Sequence, residues 1–381
     1  MIVIGLMSGT SLDAIDAAAA RFTRDGELLT MELLHHTEMP WPAATRARLL
    51  AALPPAPVTL AEVCALDVLI GDAFAQAALT LTWTIPAGLV ASHGQTVFHW
   101  IEDGRARGTL QLGQPALIAE ATGLPVVSDF RARDVAAGGQ GAPLASTLDE
   151  LWLAGDTPRA ALNLGGIANL TIVGRGPVLA FDTGPASCLL DLEAARLTGG
   201  AQSFDQDGRL AASGTVREDA LARLLSDPYY RQAPPKSTGR ERFHTGYVTE
   251  CLHGLTLSGP DLMATLTALT AQTIADACQL HGVTEVVASG GGVRNPALMT
   301  ALRHALGRIP LVTAEARGLP SDAKEAYLLA LLGYLTWHGL PGTVLGATGA
   351  APRILGRLSP GAGPLVLPSP GIMPGRLVIA G

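Results

Sequence analysis

Lysine is nearly missing from this chain. Of its 26 basic residues only Lys236 and Lys324 are lysines, and the other 24 are arginines. A chemistry that needs a lysine to grip a phosphate therefore has two candidates at most. No dense basic run occurs anywhere in the 381 residues, and the formal net charge is −7. Neutralising a nucleic-acid backbone takes clustered Lys and Arg, so nucleic acid is excluded as the main partner. Acidic small molecules stay open, because a few arginines and backbone N–H groups can hold them. Cys64, Cys188, Cys251 and Cys278 stand alone, with no C-x-x-C pair. That spacing points to neither a zinc site nor a disulfide framework and fits a reduced compartment. The opening Met1-Ile2-Val3-Ile4-Gly5 has no basic region ahead of an apolar stretch, so it does not read as a secretory signal. The longest apolar run, read around Tyr327 to Trp337, is too short to span a bilayer. The chain is expected to be soluble and cytoplasmic, with no membrane partner.

What is present reads as a folded protein: 48% hydrophobic and 15% charged residues are a globular balance. The length predicts two domains. Ile2–Leu6 reads as a strand, followed by the loop Ser8-Gly9-Thr10-Ser11-Leu12-Asp13. A second strand over Asp16–Phe22 and a third over Leu28–His35 are separated by a turn at Thr23-Arg24-Asp25-Gly26. The pattern returns near residue 160, with strands ending at Leu164, running over Leu170–Val173 and over Val178–Phe181, and glycine turns between them. Both halves thus open as strand, glycine loop, strand, turn, strand. This pseudo-repeat predicts an α/β fold built twice, with a cleft between the copies. The expected boundaries are residues 1–150, residues 151–345, and a tail over 346–381 that packs on the lobes. A helix over Asp322–Trp337 is apolar nearly all round and is expected to be buried.

Three glycine loops follow strands, where exposed backbone N–H groups can receive phosphate oxygens. The first, Ser8-Gly9-Thr10-Ser11, lacks both the lysine and the helix of a Walker loop, and is equally an ordinary hairpin. The second, Phe181-Asp182-Thr183-Gly184-Pro185, places a carboxylate at a strand end; capping of the next helix is the plainer use of that aspartate. The third, Gly290-Gly291-Gly292-Val293-Arg294-Asn295, approaches a dinucleotide fingerprint, but Asn295 stands where the third glycine belongs. Only three asparagines occur, Asn163, Asn169 and Asn295, each beside a glycine loop, which favours hydrogen-bonding roles for them. His93 reads as a buried, hydrogen-bonded histidine, and its spacing to His99 is poor for a metal. Arg131 belongs either to a surface charge cluster or to a carboxylate grip. Lys236 to Glu241 form a mobile or merely solvated loop, and Glu325 fits a helix cap as readily as a ligand.

Taken in order, these segments resemble the anhydro-N-acetylmuramic acid kinase family. The resemblance runs over nearly the whole chain. It rests on Gly5 to Asp16, Ser92-His93-Gly94-Gln95-Thr96, Asp129-Phe130-Arg131, Ala137 to Pro143, Asn163 to Asn169, Phe181 to Pro185, Pro235 to Glu241 and Gly290 to Asn295. It implies a duplicated actin-like (ribonuclease H-like) ATPase fold, two lobes with a nucleotide cleft between them. It also implies a reaction in which the 1,6-anhydro bridge of the amino sugar is opened by water and O6 is phosphorylated from ATP, with Mg²⁺, in peptidoglycan recycling. By resemblance Asp182 is the catalytic base. Gly9, Thr10, Ser11, Leu12, Asp13, Ala14, Ile15, Asp16, Gly165, Thr183, Gly184, Gly291, Gly292 and Asn295 are the expected ATP and phosphate residues. His93, Arg131 and Glu325 are expected on the sugar, and Asp13, Asp16 or Asp182 through water on the metal. A homodimer is one assembly compatible with it.

The chain departs from the family at Ala14, where glycine is usual, and at Ala186-Ser187, where Gly-Asn is usual. A methyl group at position 14 would strain the loop if φ were positive there. The end of the first strand also lacks the aspartate of many actin-like ATPases. Three other readings compete: a sugar kinase of the same fold acting on another hexose, a non-catalytic ATP-driven scaffold, and a dehydrogenase. The last leaves the three separate loops unexplained.

Overall fold

The opening pattern is built from β1 (Ile2–Met7), β2 (Ala14–Asp25) and β3 (Leu28–Pro40), which run antiparallel in turn. The computed structural model describes residues 1–9, 12–174 and 176–381; the expected phosphate residues Thr10 and Ser11 lie outside them. The chain divides into two units, Met1–Ala154 with Ala323–Gly381, and Gly155–Asp322.

In the first unit the chain continues through α1 (Ala43–Ala52), α2 (Leu60–Thr82), β4 (Leu89–Ser92), β5 (Gln95–Glu102), β6 (Arg105–Leu112), α3 (Pro115–Thr122), β7 (Val126–Ser128), α4 (Ala132–Ala136) and α5 (Ala145–Trp152). β4 lies parallel to β1, and β7 parallel to β4. β5 and β6 make a separate hairpin sheet turning at Asp103-Gly104, and both turn residues have positive φ, 51° and 71°, as a tight two-residue hairpin loop requires.

Helix α2 starts on an N-cap, with the Thr59 side chain accepting from the N–H of Glu62 at 3.1 Å. At 23 residues and a mean hydropathy of 1.5 it is the one helix among the described residues long and apolar enough to cross a membrane by composition. It therefore exceeds the run named from the sequence. Its Leu66, Ile70, Phe74, Ala77 and Leu81 are buried with Ile4, Leu6 and Val90 of the sheet, which makes it a core helix of this unit.

The second unit carries β8 (Arg159–Leu164), β9 (Ile167–Val173), β10 (Leu179–Pro185), α6 (Ser187–Leu197), α7 (Arg209–Ala212), α8 (Glu218–Leu225), α9 (Thr245–Cys251), α10 (Gly259–Leu280), β11 (Glu285–Ser289), α11 (Pro296–Leu306) and β12 (Leu311–Thr313). Its sheet runs β10-β9-β8-β11-β12. The first three strands are antiparallel, and β11 and β12 are added in parallel. Counted within each unit, the strand order is 3-2-1-4-5, the same as β3-β2-β1-β4-β7 in the first unit. The chain therefore has the duplicated ribonuclease H-like, actin-like α/β fold.

The last elements are α12 (Lys324–Trp337), β13 (Arg357–Ser359) and β14 (Arg376–Ala380). The sequence boundaries put residues 323–345 with the second half, whereas they are compact with Met1–Ala154. The reason is shape. Helix α12, buried from Ala326 to Thr336, lies so close to β1 that a Cβ on Gly5 would run into the carbonyl oxygen of Ala326. A Cβ on Gly333 of the helix would likewise stand 2.6 Å from Cβ of Ala91. Without these two bare positions an apolar helix could not bury against this sheet at such range. The tail does more than pack: β13 and β14 supply both outer strands of the seven-stranded sheet β13-β7-β4-β1-β2-β3-β14.

Candidate active site

In the second unit, Asp182 sits at a β-bulge in β10, where pairing with β9 shifts between Asp182 and Gly184. Its carboxylate does not cap α6. Oδ1 accepts from Nδ2 of Asn169, directly across the ladder, at 2.9 Å, and Oδ2 accepts from the backbone N–H of Thr238 at 2.9 Å. The backbone is clamped as well. The N–H of Asp182 donates to the carbonyl of Lys236 at 3.1 Å, and the Tyr229 hydroxyl donates to the carbonyl of Asp182 at 2.9 Å. Burial raises the pKa of Asp182 above the ordinary aspartate value, with the two hydrogen bonds pulling the other way. A fixed carboxylate with a raised pKa is suited to taking a proton from a bound water.

The segment read as a mobile or merely solvated loop is the support of this carboxylate. Lys236 donates from Nζ to the carbonyls of Tyr229 and Tyr230, at 3.1 and 3.3 Å, and stands 4.6 Å over the Tyr229 ring. In the first unit, Lys324 pairs with Asp149 at 2.8 Å, both side chains largely buried. Both lysines therefore have structural partners, consistent with a site that holds phosphate by backbone groups.

The glycines of the second unit separate into two kinds. A Cβ on Gly292 would stand 2.7 Å from Cβ of Leu164, so packing demands glycine there. A Cβ on Gly165 or Gly291 would meet nothing nearer than 3.7 or 4.0 Å, and neither residue has positive φ. At those two, bare backbone is left facing open space, as a nucleotide cradle needs. Asn295 spends its Oδ1 on capping α11, accepting from the N–H of Leu298 at 3.1 Å. Thr183 donates to the carbonyl of Ala168 at 3.3 Å, and Ser187 to Asp191 Oδ2 at 2.9 Å.

In the first unit, the loop after β1 is pinned from several sides. Ser8 Oγ donates to the carbonyl of Ala14 at 3.0 Å and accepts from Trp41 Nε1 at 3.1 Å, while Arg46 holds the carbonyl of Leu12 at 2.7 Å. Among the described residues of this loop, Leu12 is left-handed, at φ 57°, and Ala14 is not. Ala14 is the first residue of β2, paired with Pro40, so its methyl group brings no backbone strain. Ile15 is fully buried, and Asp13 is exposed.

His93 and Arg131 form one unit. Nδ1 of His93 donates to the carbonyl of Gly94 at 2.8 Å, which leaves Nε2 to accept from Nε of Arg131 at 2.9 Å. Acceptance from a guanidinium requires a neutral ring. Burial, then the Arg131 charge, pushes the His93 pKa down to about 3. Arg131 also donates from Nη1 to the carbonyl of Gly141 at 2.8 Å. Burial pushes the Glu325 carboxyl up from its usual range, Arg131 opposes this, and Asp16 adds to it. Arg131, Glu325 and Asp16 are therefore electrostatic neighbours.

Asp16, His36 and Glu38 bring one ligand atom each within 4.8 Å of one another, and His36 Nε2 lies 3.4 Å from Asp16 Oδ1. The sequence reading named Asp16 and missed the other two. The antiparallel register that sets Asp16 opposite Glu38 is what brings them together, and hairpin register is not legible in composition. Carboxylate oxygens of this kind fit Mg²⁺, which takes one or two carboxylates and keeps waters.

Known proteins resemble this chain over nearly its whole length. The family model described as anhydro-N-acetylmuramic acid kinase matches residues 1–361. A protein of that name from Streptomyces coelicolor is 54% identical, with 99% of this chain and 98% of that protein covered. One from Rhodococcus erythropolis is 52% identical over 95% of each, and one from Caldanaerobacter subterraneus is 39% identical over 94% of this chain and 96% of that protein. With this fold and this extent of likeness, the chain belongs to the anhydro-N-acetylmuramic acid kinase family.

Proposed function

We propose that the chain is an ATP-dependent kinase that opens 1,6-anhydro-N-acetylmuramic acid with water and phosphorylates it at O6, giving N-acetylmuramic acid 6-phosphate and ADP. Cell-wall recycling in the cytoplasm, where ATP is at hand, is the setting this reading assigns. The observation that carries it, beside family membership, is the half-buried Asp182 carboxylate, held on both oxygens and raised in pKa.

The proton of the attacking water goes to Asp182. The water oxygen bonds to the anomeric carbon as the bond from that carbon to the bridge oxygen breaks. The freed O6 takes the γ-phosphoryl group, and the phosphoanhydride bond to ADP breaks. One carboxylate thus serves the hydrolytic half, and a general base of this kind contributes about 10²–10⁴-fold. When bound, Mg²⁺ supplies electrostatic stabilisation of the phosphoryl oxygens. Asp13, Asp16 or Asp182 through water is proposed to hold it. Gly9 to Asp16, Gly165, Thr183 and Gly184 are proposed on the phosphates, with backbone N–H groups in place of a lysine. Gly291, Gly292 and Asn295 are proposed on the adenosine. Arg131, oriented by His93, is proposed on the lactyl carboxylate, and Glu325 on the sugar hydroxyls.

ADP release with anhydro-N-acetylmuramic acid beside N-acetylglucosamine tests the reading. Turnover confined to the anhydro sugar, with heavy oxygen from labelled water entering the product at the anomeric carbon, supports it. Phosphorylated product free of label from the solvent refutes the hydrolytic step.

A further inference from the structure

β4 and β7 end side by side on Ser92 and Ser128, which are register partners. Side chains along a strand alternate between the faces of its sheet. Val90 and Val126, two residues back on each strand, belong to the core cluster built with α2, while Ala91 lies against Gly333 of α12. Ser92 and Ser128 therefore point to the α2 and α3 side of the sheet. Both are more than nine-tenths buried, and neither hydroxyl has a hydrogen-bond partner among the described residues. An unsatisfied buried hydroxyl is destabilising by about 1–3 kcal/mol, and two adjacent ones on one wall call for an explanation.

Both serines line a cavity of about 530 Å³, within which Gln111 Oε1 is a third unpartnered buried polar atom. Volumes of roughly 300–1,000 Å³ are those of small-molecule sites. The Gln111 amide nitrogen is occupied, donating to Thr96 Oγ1 at 3.2 Å and Thr109 Oγ1 at 2.7 Å; its oxygen is left to accept. The charges at the cavity are engaged as well. Asp67 accepts from the N–H of Gly113 at 2.8 Å and from Gln114 Nε2 at 3.2 Å, and Asp129 pairs with Arg357 at 3.0 Å. Val63, Leu112 and Pro115 supply an apolar wall.

Two free hydroxyls, one free amide oxygen, no free charge and an apolar wall together match a neutral polyhydroxylated ring, whose hydroxyls both donate and accept and whose C–H face is apolar. We infer that the first unit carries a second binding site, for a neutral monosaccharide, at the ends of β4 and β7. It requires nothing of the catalytic reading above. Of the proposed substrate residues, His93 borders the cavity with both ring nitrogens already bonded, to Gly94 and Arg131, while Arg131 and Glu325 do not line it.

Cys64 is exposed and lines the cavity, so it reports occupancy in place. The full chain is alkylated with iodoacetamide, with Cys64 followed by peptide mass spectrometry, while N-acetylglucosamine or methyl α-glucoside is titrated in. The expected result is a saturable, several-fold slowing of Cys64 alkylation that persists with saturating anhydro-N-acetylmuramic acid present. The double variant Ser92→Ala/Ser128→Ala should fold at least as stably as the parent, since it removes two unsatisfied groups, and should lose the protection. Val63→Trp, which fills the cavity, should lose it too. ATP turnover in both variants should stay within a few-fold of the parent, which keeps this result separate from the fate of the kinase reading. No slowing by either sugar, slowing that the anhydro sugar abolishes, or protection that survives in both variants would overturn the site.

Discussion

Thr238, 56 residues downstream in sequence, donates its backbone N–H to Oδ2 of Asp182 at 2.9 Å. A backbone donor cannot swing away as a side chain can, so the carboxylate plane is set by the path of the chain around Lys236. That path is in turn fixed by the lysine's bonds to two tyrosine carbonyls.

Replacement of Asp182 by Asn keeps the shape and removes the base. Turnover with the anhydro sugar should fall by about 10²–10⁴-fold, while ADP binding followed calorimetrically stays near the parent value. Unchanged turnover would remove Asp182 from the chemistry.

The pH profile should carry the raised pKa of Asp182. Activity needs the ionised carboxylate, so kcat/KM should fall as pH drops through a value above the ordinary aspartate pKa of 3.8. The Asn169 hydrogen bond favours the ionised form. Asn169→Leu should therefore move the acid limb upward by roughly one pH unit, a charged hydrogen bond contributing about 1.5 kcal/mol or more. A downward or absent shift contradicts the assignment.

His93 links stability to pH. Its folded pKa of about 3 lies below the ordinary 6.5, so the unfolded chain binds the proton first. Stability from this group is whole above pH 6.5 and is lost as pH falls toward 3, at about 1.4 kcal/mol per unit within the window. Thermal unfolding of His93→Gln against pH should show a shallower decline than the parent over that interval.

Lys324→Met leaves the Asp149 carboxylate buried and unpaired. Removal of one partner from such a pair destabilises by about 3–5 kcal/mol, readable as a lower denaturation midpoint. The double change Lys324→Met/Asp149→Leu should recover most of it. Equal midpoints for parent and single variant would show that the pair contributes nothing.

Periodicity and glycine placement made the doubled strand–loop–strand opening readable, because alternation and turn residues are local properties of the chain. The burial of α12 was readable for the same reason, from a helix apolar on every side. The residues around Asp182 were not. Tyr229, Lys236 and Thr238 reach it through carbonyls, a hydroxyl and a backbone N–H, none of which leaves a mark on residue type. Lys236 consequently looked like part of a mobile or merely solvated loop.

The sequence by itself determined the fold class, the family and the strand-end aspartate, since each rests on ordered local segments. Tertiary structure decided that α12 belongs with Met1–Ala154, because only there does a glycine-bared sheet admit it. It also joined His36 and Glu38 to Asp16 through hairpin register, and turned two strand-end serines into one wall of a cavity. In each case the deciding quantity was a distance between residues far apart in the chain, which packing fixes and residue order does not.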